Sequence, residues 1–255
     1  MPIKDYYDDK EWELHYEQRF LFEREQKSID YIKKLPGAKK ILDIGCGDGY
    51  FLKGLRDALP ARRKVELWGV DYSKSKLRQA KKQGFSTKWC DLEQGLPFPD
   101  ATFDVVYAAE LIEHLFNPDF LLEECHRVLK PKGTIIVSTP NLQAWYNRAL
   151  FALGIQPIFY EVSTRSPKIG SGALGRIKKG EAPVGHVHVF NKAGLLDMLR
   201  AEGFEILDTL GAQFHSLPRP VQFIDRAFNI RPSMASNIIA VAKKGERKAT
   251  EPAVE

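Results

Sequence analysis

Apolar residues along the chain recur with two alternating periods. Short runs rich in β-branched or aromatic residues, KKILDIGC at 39–46, VELWGVD at 65–71, STKWCDL at 86–92, FDVVYAAE at 103–110 and TIIVSTP at 134–140, read as strands bounded by glycine, proline or charge. Between them GYFLKGLRDAL, SKSKLRQAKKQ and PDFLLEECHRVL place apolar positions at helical spacing, the last with Phe120, Leu121, Cys125 and Val128 on one face. Strict alternation predicts an α/β fold with a parallel sheet covered on both faces, because each parallel crossover needs a connector of about a dozen residues. After Phe190 the pattern resumes as a helix in NKAGLLDMLRAEGF and strands in FEILDTLGA and SNIIAVAKK. Those two strands are expected to close the sheet as a hairpin across the long, proline-containing stretch 213–235.

Three segments fall outside this alternation. Residues 1–36 interleave aromatic side chains (Tyr6, Tyr7, Trp12, Tyr16, Phe20, Phe22) with charges and read as an N-terminal helical cap. Residues 141–185 fit neither period. They hold Arg148, Arg165, Lys168, Arg176, Lys178 and Lys179 against Glu161 and Glu181, a local net charge of +4. A segment that long inside a compact domain is functional or disordered, and it follows a strand's carboxyl end, where open sheets bind ligands. It is expected to be an inserted lid between a core at 37–140 and the rest of that core at 186–244. The polar tail 245–255 is expected to be disordered.

Composition narrows the setting. A chain of 255 residues with 44% hydrophobic and 28% charged residues can bury one substantial core. No run approaches the roughly 18 uninterrupted apolar residues of a membrane span, and the charged N-terminal stretch is unlike a secretory signal, so a cytoplasmic location is expected. Cys46, Cys90 and Cys125 are odd in number and widely spaced, which suits reduced core thiols. The net charge of +5 permits an anionic substrate or nucleic acid without requiring either.

The stretch ILDIGCGDG at 41–49 carries the first chemistry. After a strand, glycines let the chain turn sharply and bring its backbone against a ligand while the next helix offers its N-terminus. A dinucleotide site spaces its glycines G-x-G-x-x-G. Here Gly45, Gly47 and Gly49 read G-x-G-x-G, with Asp43 and Asp48 beside them. Those acids would repel a pyrophosphate and attract a cation. Asp71, ending VELWGVD, can take both hydroxyls of a ribose, and Asp91, ending STKWCDL, stands where it could meet an adenine amino group.

The ordered blocks ILDIGCGDG, VDYS, CDLEQGLPFPDATFDVVYAAELIEHL and ECHRVLKPKGTIIVSTPN, over about 37–140, resemble a class I S-adenosylmethionine-dependent methyltransferase. The resemblance implies a Rossmann-like, seven-stranded, mostly parallel sheet with a reversed last strand, for which 237–244 is the candidate. It also implies S-adenosyl-L-methionine as cofactor. Asp43, Gly45 and Gly47 would then line its methionine part, Asp71 would hold ribose with Tyr72 beside it, Asp91 and Leu92 would flank adenine, and Ala109 would end the fourth strand against it.

The acceptor side centres on AAELIEHL. A helix starting there would put Glu110, Glu113 and His114 at i, i+3 and i+4 on one face, two carboxylates and an imidazole suited to Mg²⁺ or Mn²⁺. The E-x-x-E-H run resembles two metal-dependent branches of the superfamily, the ubiquinone-biosynthesis O-methyltransferases and the small-RNA 3′-terminal 2′-O-methyltransferases. The second branch also has TPN after the fifth strand and a later His-x-Phe that supplies a further ligand; Thr139-Pro140-Asn141 and His188-Val189-Phe190 match them. The competing reading makes Glu113 and His114 capping and pocket residues with no ion. His114 or His188 would then be the base for an oxygen acceptor. His186 and His188, two apart, would face one side of a strand. His15, His126 and His215 have no evident partner in the sequence. A small-molecule acceptor methylated on oxygen is the leading expectation. RNA, through a ribose or modified-base hydroxyl, and a catalytically silent binding module are the alternatives.

Overall fold

The computed structural model describes residues 21–158, 160–172, 185–214 and 219–247. Seven strands form one sheet in the order β3-β2-β1-β4-β5-β7-β6, with β1 Lys40–Ile44, β2 Glu66–Asp71, β3 Ser86–Trp89, β4 Phe103–Ala109, β5 Leu129–Pro140, β6 Phe204–Ala212 and β7 Asn237–Lys244. β7 runs antiparallel to both β5 and β6, while the pairings among β1 to β5 are parallel. The closing hairpin and reversed last strand follow the sequence pattern. β2 and β3 follow on one side of β1 and the chain then crosses from β3 to β4 on the other, so the carboxyl ends of β1 and β4 flank a topological switch point.

The helices are α1 Glu23–Lys33, α2 Tyr50–Ala58, α3 Lys74–Lys82, α4 Pro118–Val128, α5 Trp145–Ala152, α6 Lys192–Ala201 and α7 Arg219–Phe228. Local chemistry sets several starts. The Ser73 side chain caps α3, Asn117 caps α4 with Pro118 in its first turn, and Asn191 caps α6. Two apolar layers cover the sheet. On one side Ile29 and Ile32 of α1 pack with Ile41, Leu52, Tyr107, Ile136 and Val241. On the other, α4 and α6 cover Leu42, Val106, Ile135 and Ala240.

The inward face of α4 comprises Leu121, Leu122, Cys125 and Val128; Phe120, expected there, is only half-buried. All three cysteines are free and buried. Two helices lie where the sequence pattern showed none. α5 begins four residues after Asn141, and its sequence, WYNRALFA, lacks a polar face that would mark a helical period. α7 lies within 213–235. Its one acid, Asp225, is turned inward, where it accepts from Trp145 Nε1 at 2.8 Å, Ser236 Oγ at 2.6 Å and the Phe214 amide at 3.0 Å. A carboxylate on the buried side of a helix obscures the apolar stripe.

His126 has partners after all, the Gly245 carbonyl at 3.1 Å and the Phe204 ring. The start of the tail is held as well, by the Gly245 amide on the Gly203 carbonyl and by Arg247 paired with Glu123 and Glu202. The helical cap before residue 21, Arg176, Lys178, Lys179 and Glu181 of the expected lid, and His15 and His215 lie outside the described residues. No helix among the described residues is long and apolar enough to cross a membrane.

Candidate functional site

Asp43 interrupts the apolar run Ile41–Ile44 of the central strand β1. β1 is paired on both sides, and Asp43 itself sits between Gly69 and Tyr107, 3% exposed, with its Oδ2 atom lacking a hydrogen-bond partner. Burial, then the nearby charges of Asp71 and Glu25, push its carboxyl well above the usual range. Nothing in the fold requires an acid there, so the position points to a ligand.

The chain leaves β1 through Gly45 and Gly47, both in the left-handed region (φ 74° and 54°) that side chains with a Cβ seldom adopt. Asp71, at the end of β2, staples that turn. Its Oδ2 accepts from the Gly47 amide and its Oδ1 from the Ser73 amide, each at 2.8 Å. Tyr72 follows it and meets the Trp89 ring. Asp91 lies beyond β3, buried, and accepts from the Glu93 amide and the Gln94 side chain, with Leu92 opening the next turn. Asp43, Gly45, Gly47, Asp71, Tyr72, Asp91, Leu92 and Ala109 therefore line the carboxyl ends of β1 to β4.

Two charged residues here gave no signal in the sequence. α1 reaches this edge because Glu23 accepts from the Gln213 amide and Asn229, while Lys27 donates to the Gly211 carbonyl. Its first turn thereby sets Arg24 and Glu25 above the sheet. Arg24 pairs with Glu25 at 2.9 Å and with Glu110 at 3.4 Å. Burial alone would lower its pKa, but Glu110 and Glu25 outweigh it and hold the guanidinium charged. Polar atoms without a partner gather in this place among the described residues: Arg24 Nε, Glu25 Oε2, Asp43 Oδ2 and Tyr107 Oη. Buried polar atoms are rarely left without a partner, so this concentration points to a polar ligand of mixed charge.

The segment after β4 departs from the expected helix. The ladder to β5 continues one residue past β4, through the Glu110 amide on the Ser138 carbonyl at 2.9 Å, and Glu110 adopts φ 50°. Only a single 3₁₀ turn, Ile112–His114, fits before Asn117 caps α4. Glu110 and Glu113 therefore do not share a helix face. Glu110 turns to Arg24 and to the Ser138 hydroxyl at 3.2 Å. Glu113, 2% exposed, accepts from Thr139 Oγ1 at 3.0 Å, and burial followed by the Glu110 charge raises its pKa well above the ordinary range.

The histidines are sorted by the same turn. Residues 186–188 are not a strand; the amides of Val187 and His188 both donate to the Glu113 carbonyl. His186 is thereby brought to His114, with ring centroids 4.8 Å apart, whereas His188 Nε2 faces the Phe116 carbonyl at 3.4 Å. Burial, then His186, lowers His114 to about 4, against the opposing effect of the Gly185 carbonyl. Glu113, His114 and His186 each offer a ligand atom within 4.8 Å of the others. Of the four residues expected to hold a metal, Glu113 and His114 thus come together, joined by His186, while Glu110 and His188 turn elsewhere. A small pocket opens beside them, lined by Glu113, Thr139, Asn141, Ile158, His186 and His188. Asn141 joins it because its backbone bridges to Phe190.

Comparison with known proteins bears on this arrangement. Residues 42–137 match the model of a family described as a methyltransferase domain. A protein of Mycolicibacterium smegmatis, described as a probable S-adenosylmethionine-dependent methyltransferase, is 30% identical over 203 residues, 78% of this chain and 64% of its own length. A ubiquinone biosynthesis O-methyltransferase of Alkalilimnicola ehrlichii is 30% identical over 139 residues, 51% of this chain and 54% of its own. The chain thus spans between half and two thirds of these relatives. Among solved structures, a methyltransferase of Thermotoga maritima described as a possible histamine N-methyltransferase aligns with a TM-score of 0.56 at 18% identity, over 86% of this chain and 89% of that one. A likeness at that identity concerns the fold.

Proposed function

The chain belongs to the class I S-adenosylmethionine-dependent methyltransferases, and from that premise we propose that it transfers the donor's methyl group to an oxygen of a small-molecule acceptor. The observation that carries the acceptor half is the cluster of buried Glu113 with half-buried His114 and His186, which opens on a small pocket of its own. The O-methyltransferase named among the relatives supports oxygen as the target.

The donor half rests on matched charge. S-adenosylmethionine presents an ammonium, a sulfonium and a carboxylate. Asp43 and Glu25 face the cationic part, and Arg24 is the buried cation placed for the carboxylate. Gly45 and Gly47 let the backbone approach, Asp71 takes the ribose, and Asp91 with Leu92 borders adenine. Methyl transfer is an in-line displacement: the sulfur–carbon bond breaks as the oxygen–carbon bond forms. Positioning of the two reactants supplies much of the acceleration. The acceptor's proton must leave. His114, with its affinity for protons lowered by burial, is a weak base but a good neutral ligand or hydrogen-bond acceptor, so His186 is the better placed base.

Glu113, His114 and His186 also fit a divalent ion, since Glu113 keeps an unpartnered oxygen and His114 stays neutral. Mg²⁺ or Mn²⁺ held there would supply Lewis acidity to the acceptor's hydroxyl. Asn141, Leu142 and Ile158, from the described part of 141–185, line the proposed acceptor pocket and support the reading of that segment as substrate-covering.

The test is transfer of labelled methyl from S-adenosylmethionine into fractionated small metabolites and into RNA, with and without Mg²⁺ or Mn²⁺. Label in small hydroxylated acceptors is expected. Label in RNA alone would move the assignment to a ribose or base hydroxyl, and donor binding without transfer to any fraction would leave a silent binding module. Arg24 yields a separate expectation. Arg24→Met should weaken binding of S-adenosylhomocysteine about tenfold or more, as expected for a buried charge pair broken on one side. It should leave binding of the decarboxylated analogue nearly unchanged. Calorimetric titration of both ligands checks it; equal losses for the two would remove Arg24 from the carboxylate.

A further inference from the structure

α7 presents an outer face that the site does not use. Its inward side is fixed by Asp225, fully buried, and by Phe228, whose ring stacks on Trp145. Outward stand Phe223, 81% exposed, Ile224, 44% exposed, and Ile230, 84% exposed, at the spacing of one helix surface and the turn beyond it. Single exposed apolar side chains are ordinary on proteins, but three large ones on one short helix and its following turn are not.

The charges around them share one sign. Arg226 on α7 and Arg231 in the turn beyond it are exposed, and the one acid between Val221 and Arg231 is the buried Asp225. The neighbouring α5 continues the character. Trp145 donates its amide to the Met234 carbonyl and Arg148 reaches the Ser233 carbonyl, and beyond them Phe151 and Leu153 are exposed. Exposed Arg165 and Lys168 follow in the next segment.

From this pairing of exposed apolar side chains with unbalanced arginines, we infer that the α5–α7 face docks on an anionic membrane surface, with Phe223 and Ile230 entering the headgroup boundary and Arg226 and Arg231 on lipid phosphates. A short helix with an apolar face and basic flanks lies in the plane of such an interface, where both kinds of side chain gain a partner. The alternatives use only half of the face. A second copy laid on it would oppose arginine to arginine, and a polyanion such as RNA would engage the arginines while leaving the Ile230 and Ile224 side chains in water.

The full chain should co-sediment with vesicles of phosphatidylcholine containing about a third phosphatidylglycerol, and much less with phosphatidylcholine alone. Phe223→Ser with Ile230→Ser should reduce the bound fraction's partition coefficient about tenfold or more, and Arg226→Gln with Arg231→Gln roughly fivefold for each charge at low salt. Affinity for S-adenosylhomocysteine should be the same in all variants, which separates loss of docking from loss of fold or of the donor site. Failure of the parent chain to bind anionic vesicles, or binding that the serine pair leaves intact, overturns the inference. So does self-association without lipid that the serine pair abolishes, which would assign the face to a second copy.

Discussion

Asp43→Asn is expected to weaken S-adenosylhomocysteine binding by about 2–5 kcal/mol, the usual cost of removing one member of a buried charge pair, while the ligand-free protein becomes no less stable and even somewhat more so. The two effects have one origin. In the ligand-free protein the carboxyl is buried with an unpartnered oxygen between Gly69 and Tyr107, so it costs the fold something that a neutral amide of the same shape relieves. With the donor's ammonium present the same carboxyl becomes the ligand's partner.

The pH dependence follows from the sign of the shift. A carboxyl whose folded pKa is raised keeps its proton more tightly when folded, so its contribution to stability is present at low pH and lost as pH rises through the raised pKa. A bound cation favours the ionised form. The thermal shift caused by S-adenosylhomocysteine should therefore grow with pH across that window in the parent chain and stay flat in Asp43→Asn. Scanning calorimetry of both proteins with and without ligand measures it. A variant that binds as the parent does would place the amino-acid end of the donor elsewhere.

The second large effect belongs to the acceptor side. Glu113→Gln keeps the hydrogen bond to Thr139 within reach and preserves volume, and His186→Ala removes the ring facing His114. Each is expected to lower kcat about 10²- to 10³-fold, the range for losing a positioned acid–base or electrostatic group. S-adenosylhomocysteine affinity should change less than about twofold, since neither residue faces the donor's charges. His188→Ala, whose ring is turned to the Phe116 carbonyl, should cost far less than His186→Ala. The reverse order would return the acceptor's proton to His188. Exhaustive chelation should match Glu113→Gln only if an ion is held there, and activity unchanged by chelation would leave the cluster as a hydrogen-bonding device.

The outcome along the chain shows which kinds of information lie in local pattern. β6 was legible to the residue because FEILDTLGA carries its own period, and β1 and β4 because buried parallel strands read as continuous apolar runs. The residues proposed for the donor cradle stand out in the sequence because Gly45 and Gly47 adopt left-handed backbone that favours glycine and the acids Asp43 and Asp71 stand in or at the ends of strands. The turn after β4 was misread. E-x-x-E-H has helical spacing, yet the backbone there is held to β5 through Ser138, which forces Glu110 into the left-handed region and leaves room for one 3₁₀ turn.

The sequence by itself determined the alternating sheet and the reversed strand, since these depend on residue types at fixed local intervals, and the proposed cation site at the end of β1 rests on residue types of the same kind. Only the tertiary structure brings Arg24 and Glu25 to the proposed site, because α1 reaches it through Glu23 and Lys27 bonds to residues nearly two hundred positions away. It alone chose His186 over His188 as the partner of Glu113 and His114, because two backbone amides on one carbonyl set which ring turns inward. Charge partners brought together by packing carry no period, and so no window of sequence can display them.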